Sequence, residues 1–446
     1  MEAVSARAVA VVLPGIGGSS LAVDGQAAWP GTPAEYVGGL TEGRFARLLS
    51  DAAVPGGVLP DLAGVAAYAP LLATLRALGF TPDGRQRTLL PFAYDWRRSV
   101  TQSAAALADR LDKETARDPA DFFLIAHSLG GLVARHLLED RAFAGRPGRA
   151  GVRLLVTIGT PHRGAPAVLA PILGARGFGF MNGAKVRALT ADPRFPAAYD
   201  LLPPPGDPFL WQGRPGADRQ ALDPYAQPAV ARMLRLDSTH LAGAAAAWAT
   251  LMHDWAAPTP AHGPAYCALA GTQQPTLDRW LLAPGGLEPG YSPAAGDGRV
   301  PVRSAAPDGS ERHLLAGSHD DLVEDPAVGV MLAALLPVPA GIVPPAFPPL
   351  RLSLPASSVI PGEPVRVTLL AAGGGGIPGG TLRLTPESVP DATPAARAVA
   401  HAVPRVGDAA LHLDLPPLAS PGAWRVSFET ADAPAPGSRR LYGTTS

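Results

Sequence analysis

The sequence predicts an α/β fold, a mostly parallel sheet with helices on both faces, followed by a smaller all-β module. Two patterns carry this. In the first third, short apolar runs alternate with segments of helical period, as strands joined by crossover helices require. Beyond about residue 350 the helical segments stop, and short alternating runs separated by Gly or Pro take their place.

RAVAVVL (7–13) is the first strand and runs into the glycine-rich PGIGGSS. AYAPLLATLRALGF (67–80) spaces its apolar residues as an amphipathic helix, and RTLLPFAY (87–94) reads as a strand. TQSAAALADRLDKETARD (101–118) is helical, DFFLIA (121–126) a buried strand, LGGLVARHLLEDR (129–141) a helix and VRLLVTIGT (152–160) the next strand. From 161 to 263 the rhythm breaks, and this stretch is expected to be a cap inserted over the sheet. It contains AVLAPILGARGFGFM (167–181), Phe209, Leu210, Trp211, Trp248 and Trp255, either packed on the sheet or offered to an acyl chain or a membrane surface. The sheet resumes with AYCALAGT (265–272) and RHLLAG (312–317) and closes with the helix PAVGVMLAALL (326–336). The expected catalytic domain therefore spans 1–337. Residues 338–349 are a proline-rich stiff linker, and 350–446 form a β-sandwich of immunoglobulin-like size without paired cysteines.

Composition narrows the function. Hydrophobic residues are 47% of the 446, charged residues 17%, and the net charge is -1. That balance gives no electrostatic reason to expect nucleic acid as a partner. With Cys267 as the lone cysteine, neither an internal disulfide nor a cysteine-built metal site is expected. The first apolar run is too short for a signal segment, and no stretch is long enough to span a bilayer, so the chain reads as cytoplasmic. The pattern sets no oligomeric state.

In DFFLIAHSLGG (121–131) a strand meets a helix at Ser128, between the small residues Ala126 and Gly130. This describes a nucleophile elbow, a turn so sharp that strand and helix approach only over small side chains. A serine capping a helix N-terminus gives the same spelling. The elbow makes further demands. A base must take the hydroxyl proton, and an acid must hold the base's tautomer, in the chain order Ser, Asp or Glu, His. Asp297 in AGDGRVP and His319 in SHDDL, just past the last strand, meet that order. His313 competes with His319 but starts its strand, at the wrong end of a parallel sheet. A Gly-Asp-Gly turn is also often no more than a turn. Oxyanion donors are expected from the N–H of Leu129 and, in the loop 14–18, of Ile16 beside Gly17. The alternative use of that loop, a phosphate cradle, lacks its lysine. This chemistry needs no cofactor and no metal.

VVLPGIGGS, PFAYDWRRS (91–99), AHSLGG, VTIGTPHRGAP, FPAAYDLLPP (195–204), YCALAGTQQPT, GDGRVP and SHDDL occur in an order that resembles the lecithin:cholesterol acyltransferase-like α/β-hydrolases, over residues 8 to about 336. The resemblance implies an α/β-hydrolase fold, Ser128, Asp297 and His319 as the triad, and Ile16 and Leu129 as oxyanion donors. It further implies that Tyr94, Asp95, Trp96 and Arg97 shape the site near the nucleophile. His127 and Gly17 are expected beside the substrate, and His162 in TPHRG is expected to line the pocket. Members cleave acyl esters of lipids or pass the acyl group to another alcohol. The expected function is thus a serine esterase or lipase on acyl esters, with an O-acyltransferase as alternative and a non-catalytic binding protein as a third reading. Contact with a membrane surface would run through the cap or the β-module. Two departures stand out: Ala126 at the first small position of the elbow, and Arg299 where the resembling motif has Thr.

Overall fold

The computed structural model describes residues 7–62, 65–213, 220–251, 264–306, 311–339, 342, 350–354, 358–359, 362–371, 376–388, 398–408, 410–418, 420–430 and 438–443. The central sheet consists of β1 (Arg7–Leu13), β2 (Arg87–Pro91), β3 (Ala120–His127), β4 (Val152–Ile158), β5 (Ala265–Thr272) and β6 (Glu311–Ala316). Their order is β6-β5-β4-β3-β1-β2, and every neighbouring pair is parallel. Its faces are covered by α1 (Ala69–Ala77), α2 (Val100–Arg117), α3 (Leu129–Glu139) and α4 (Pro326–Leu335).

Strand β1 shows why both faces must be covered. Val9, Val11 and Leu13 pack with Leu107 and Leu111 of α2 and Leu132 and Leu137 of α3. Ala8, Ala10 and Val12 pack on the other side with Leu71 and Leu75 of α1 and Leu332 of α4. An apolar strand without polar alternation has no face to give to water, and each large aliphatic buried this way contributes about 1.5–3 kcal/mol. The chain leaves β1 for β2 on one side and returns through α2 to β3 on the other. The crevice between the carboxyl ends of β1 and β3 is therefore the topological switch point, where open α/β sheets bind ligands. Helix α2 starts from a capping box of Ser99 and Gln102. Its first N–H, from Val100, is taken by Asp200 in FPAAYDLLPP at 2.8 Å. Burial raises that carboxyl to about 7, against the lowering effect of the Val100 bond.

Two small sheets lie outside the expected pattern. Ser19–Val23, Gln26–Trp29 and Val54–Val58 form one directly after the glycine loop. The other pairs cap strands Leu210–Gln212 and Gln220–Leu222 with a long hairpin, Gln274–Ala283 and Gly286–Gly296, between β5 and β6. The hairpin escapes a period-two reading because its register shifts twice, at Gln274/Thr276 and Leu277/Arg279. The cap sheet thus draws on chain well beyond residue 263. Phe209, Leu210 and Trp280 share a core with Tyr199 and Leu236, and Trp248 is buried with its indole N–H on Leu202 O at 3.0 Å. Trp255 lies outside the described residues.

The C-terminal region contains two further sheets. Leu350–Ser353, Val365–Ala371 and Ala410–Leu415 make one. Ser358–Val359, Ser438–Gly443, Gly422–Glu429, Gly380–Ser388 and Val399–Val403 make the other. Leu352, Val367 and Leu369 from the first sheet and Leu384, Trp424 and Phe428 from the second bury one another in a common core. Most of the expected linker, residues 340–341 and 343–349, lies outside the described residues, whereas Val338 and Ile342 pack on the α/β core.

Candidate active site

Strand β3 ends at His127 and α3 begins at Leu129, so Ser128 alone makes the turn. Its φ of 53° and ψ of -125° cost a side-chain-bearing residue about 1–3 kcal/mol. The turn is held by the Ser128 N–H on Ile158 O at 2.9 Å and the Gly131 N–H on Ser128 O at 3.0 Å. The hydroxyl makes no capping bond to α3, so this serine is not spent on the helix. A Cβ on Gly130 would stand 2.6 Å from Leu13 O and 2.7 Å from Pro14 O. Ala126, by contrast, is fully buried in register between Leu13 and Thr157 with its methyl accommodated. The departure at that position is therefore sterically harmless.

The glycine loop reaches the serine from β1. A Cβ on Gly15 would lie 2.9 Å from Ser128 Cβ and 3.4 Å from its Oγ, and one on Gly17, at φ 76°, would lie 2.9 Å from Phe178. The Gly15 N–H donates to the Tyr68 hydroxyl at 2.7 Å, and Tyr68 O–H in turn donates to His127 Nδ1 at 2.7 Å. His127 then donates from Nε2 to the carbonyl of His319 at 3.2 Å. This tautomer is neutral, and burial, followed by the nearby His319, lowers His127 to about 3. One buried chain of hydrogen bonds thus ties the glycine loop, the elbow and the His319 loop together. Tyr68 is the residue that motif reading missed, because it sits at the start of α1 with no motif around it. Tyr68→Phe leaves the Gly15 N–H and His127 Nδ1 unpartnered, with an expected loss of about 1–3 kcal/mol. Chemical denaturation of both proteins measures it, and an unchanged midpoint would remove the hydroxyl from this role.

His319 follows β6, and its Nδ1 lies 2.7 Å from Asp297 Oδ2. Asp297 is fully buried, its Oδ1 accepting from the N–H of Arg299 at 2.9 Å and of Val300 at 2.7 Å. The His319 N–H also donates to Asp297 O at 2.8 Å. An acid fixed by two N–H groups and facing Nδ1 selects the tautomer whose Nε2 is bare. Ser128 and His319 line one cavity of about 650 Å³ together with Ile16 and Gly17. No hydrogen bond joins the Ser128 hydroxyl to His319 among the described residues. Leu129, first in α3, has no acceptor within the helix for its N–H. Trp29, Tyr36, Leu62, Val168 and Phe178 give the cavity an apolar side, and the Arg299–Asp320 pair, 2.6 Å apart, stands at a polar one.

The other expected contact residues are set further back. Tyr94 O–H donates to Pro14 O at 2.7 Å, and Trp96 Nε1 donates to Ser19 O at 3.1 Å. Arg97 is buried, makes a two-pronged pair with Asp95 and also donates to Leu48 O and to Ser50 O. Tyr94 and Trp96 thus brace the two ends of the glycine loop from behind, Asp95 and Arg97 hold the Leu48–Ser50 stretch, and none of the four lines the cavity. His162 is buried as well, with Nε2 3.0 Å from Thr157 Oγ1 and Nδ1 3.4 Å from Arg135, and burial and that guanidinium lower it well below its usual value. It packs under α3 and does not face the cavity. His313 lies within β6. Among the described residues, no cluster of His, Cys, Asp or Glu is arranged to hold a metal ion, and no helix is long and apolar enough to cross a membrane.

Residues 59–223 match the family model for lecithin:cholesterol acyltransferase. An uncharacterized protein of Saccharomyces cerevisiae, YJR098C, is 34% identical over 83 residues, a stretch covering 18% of this chain and 11% of that protein. Among solved structures, the mature form of Bacillus licheniformis lipase BlEst2 is 12% identical, with 74% of this chain and 92% of that chain covered and a TM-score of 0.35. Phospholipase PlaB from Legionella pneumophila is 12% identical, with 98% and 92% covered and a TM-score of 0.34. The sheet order and the one-residue elbow give the chain an α/β-hydrolase fold, and its residues 59–223 are similar to the lecithin:cholesterol acyltransferase family.

Proposed function

We propose that this protein is a serine hydrolase of carboxylic esters, with lipid acyl esters as its substrate class. The observation that carries the reading is the fully buried Asp297 paired with His319 at 2.7 Å, opening with the strained Ser128 onto one largely apolar cavity. Ser128 Oγ attacks the ester carbonyl while His319 Nε2 takes its proton, and Asp297 steadies the imidazolium. The N–H groups of Ile16 and Leu129 receive the oxyanion. Collapse expels the alcohol with the proton from His319. Water, deprotonated by the same nitrogen, then releases the acid from Ser128. The apolar side of the cavity suits the acyl chain. The same reading divides the chain into a catalytic unit over 1–337, a proline-rich connector over 338–349 and a β-sandwich over 350–446.

The family match favours one second reading, in which an alcohol replaces water in the last step. One experiment addresses both. A fluorophosphonate probe is expected to label wild type at Ser128 and to leave Ser128→Ala unlabelled. Mass spectrometry of reactions with an added lipid alcohol then separates free acid from new ester. Equal labelling of the two proteins would sink the serine-hydrolase reading, and free acid alone across an acceptor panel would sink the transferase.

A further inference from the structure

The cavity that holds Ser128 and His319 is not closed by the α/β unit and cap alone. Val359, Glu363, Pro364, Arg366 and Leu441, all from the C-terminal sandwich, line it too. The sandwich is seated by buried polar contacts. Gln274 and Thr368, both fully buried, exchange side-chain hydrogen bonds at 3.3 Å. The fully buried Ser353 donates to Asp321, which also accepts from Ser318 at 2.8 Å, and Ser318 is the neighbour of His319. Arg351 pairs with Asp325 at the start of α4. Buried polar groups that find partners across this contact would be costly to separate, so the seat belongs to the folded protein.

Of the groups that the sandwich brings, Val359, Pro364 and Leu441 extend the apolar wall and the other two do not. Glu363 and Arg366 carry charge, and they line the same cavity as the Arg299–Asp320 pair. Arg366 is held in place by Asp414 at 2.8 and 3.2 Å. Glu363 is exposed and has no ion pair among the described residues. An acyl chain gains nothing from these two charges, so their use is with the other half of an ester.

We propose that the C-terminal sandwich is part of the substrate site and that Glu363 and Arg366 select the polar alcohol portion of the ester. The inference rests on the ester-hydrolase reading. It assigns Glu363 to a cationic group on that alcohol, with Arg366 and Arg299 available to an anionic one.

The test compares two esters of one fatty acid, a choline ester and a methyl ester, in the full-length protein. Glu363→Lys is expected to lower the choline-to-methyl ratio of kcat/KM about fivefold, the scale of one partly exposed charge pair. Glu288→Lys, the same charge change on the exposed hairpin outside the cavity, is expected to leave the ratio alone. A second measurement needs no turnover. Cys267 is buried, so Glu363→Cys supplies the accessible thiol, and a long-chain phosphonate with a bulky leaving-side group on Ser128 is expected to slow its reaction with a maleimide. An active, labelled wild type whose ratio is unmoved by Glu363→Lys, or a thiol indifferent to the phosphonate, overturns the sandwich wall alone. A wild type that neither turns over esters nor takes the probe overturns the hydrolase reading beneath it.

Discussion

Ser128→Ala is expected to lower ester turnover by about 10,000-fold or more, and His319→Ala to lower it as far. The double variant is expected to lose no more than either single one, because on the proposed mechanism nucleophile and base act as one unit: a hydroxyl without its base is nearly inert, and a base without the hydroxyl has nothing to activate. Asp297→Asn is expected to fall short of that loss while still costing a large factor. The asparagine keeps the space of a fully buried side chain but no longer favours the tautomer with a bare Nε2. What remains in each case is expected to come from the cavity and from the proposed oxyanion donors, the N–H groups of Ile16 and Leu129. His313→Ala supplies the contrast, since that residue lies within β6 and away from its carboxyl end, and turnover near wild type is expected. Initial rates on a soluble ester measure all five proteins. Additive losses in the double variant would mean that Ser128 and His319 do not work on the same proton.

The parts legible in the sequence share one property: their signal is local. Strands β1 and β3 announce themselves as unbroken apolar runs because both of their faces are buried, and the elbow is spelled within five residues by Ala126, Ser128 and Gly130. The Asp297–His319 pair follows from chain order and strand ends. What stayed hidden depends on contacts between distant segments. Tyr68 has no motif, and its part is visible only once Gly15 and His127 stand on either side of its hydroxyl. The YDWR stretch was readable as important but not as a brace, since the residues it holds are Pro14 and Ser19, some eighty positions earlier in the chain. The hairpin after β5 was masked by its own bulges. The sandwich, expected as a module behind a stiff linker, also supplies wall to the cavity; a proline-rich connector states that two units are joined but not where the second one docks.

Gly131→Ala tests how tightly the elbow is built, and its outcome runs against the intrinsic preference of helices. Inside α3, exchanging Gly for Ala on an open face would stabilise by about 1 kcal/mol. Here the new methyl would overlap Thr160 Oγ1 and stand 2.5 Å from its Cγ2 and 2.7 Å from its Cβ. Thr160 is fully buried just beyond β4, so it has no room to withdraw. The expected net loss is about 1–3 kcal/mol, read as a lower midpoint in denaturant. Because the three nearest atoms all belong to one side chain, the clash has a remedy. Thr160→Gly removes all three offending atoms, and since the Thr160 hydroxyl has no hydrogen-bond partner among the described residues, none is lost with it. In the double variant the Gly131→Ala penalty is expected to vanish, so the cycle shows a favourable coupling of the size of the clash. Gly130→Ala allows no such rescue, because the atoms it meets are the backbone oxygens of Leu13 and Pro14. That contrast is the sharper half of the prediction: one glycine of the elbow is required by a replaceable neighbour and the other by the strand itself. A Gly131→Ala protein as stable as wild type, or a Gly130→Ala loss that Thr160→Gly repairs, would show that helix and strand are held apart by something other than these contacts.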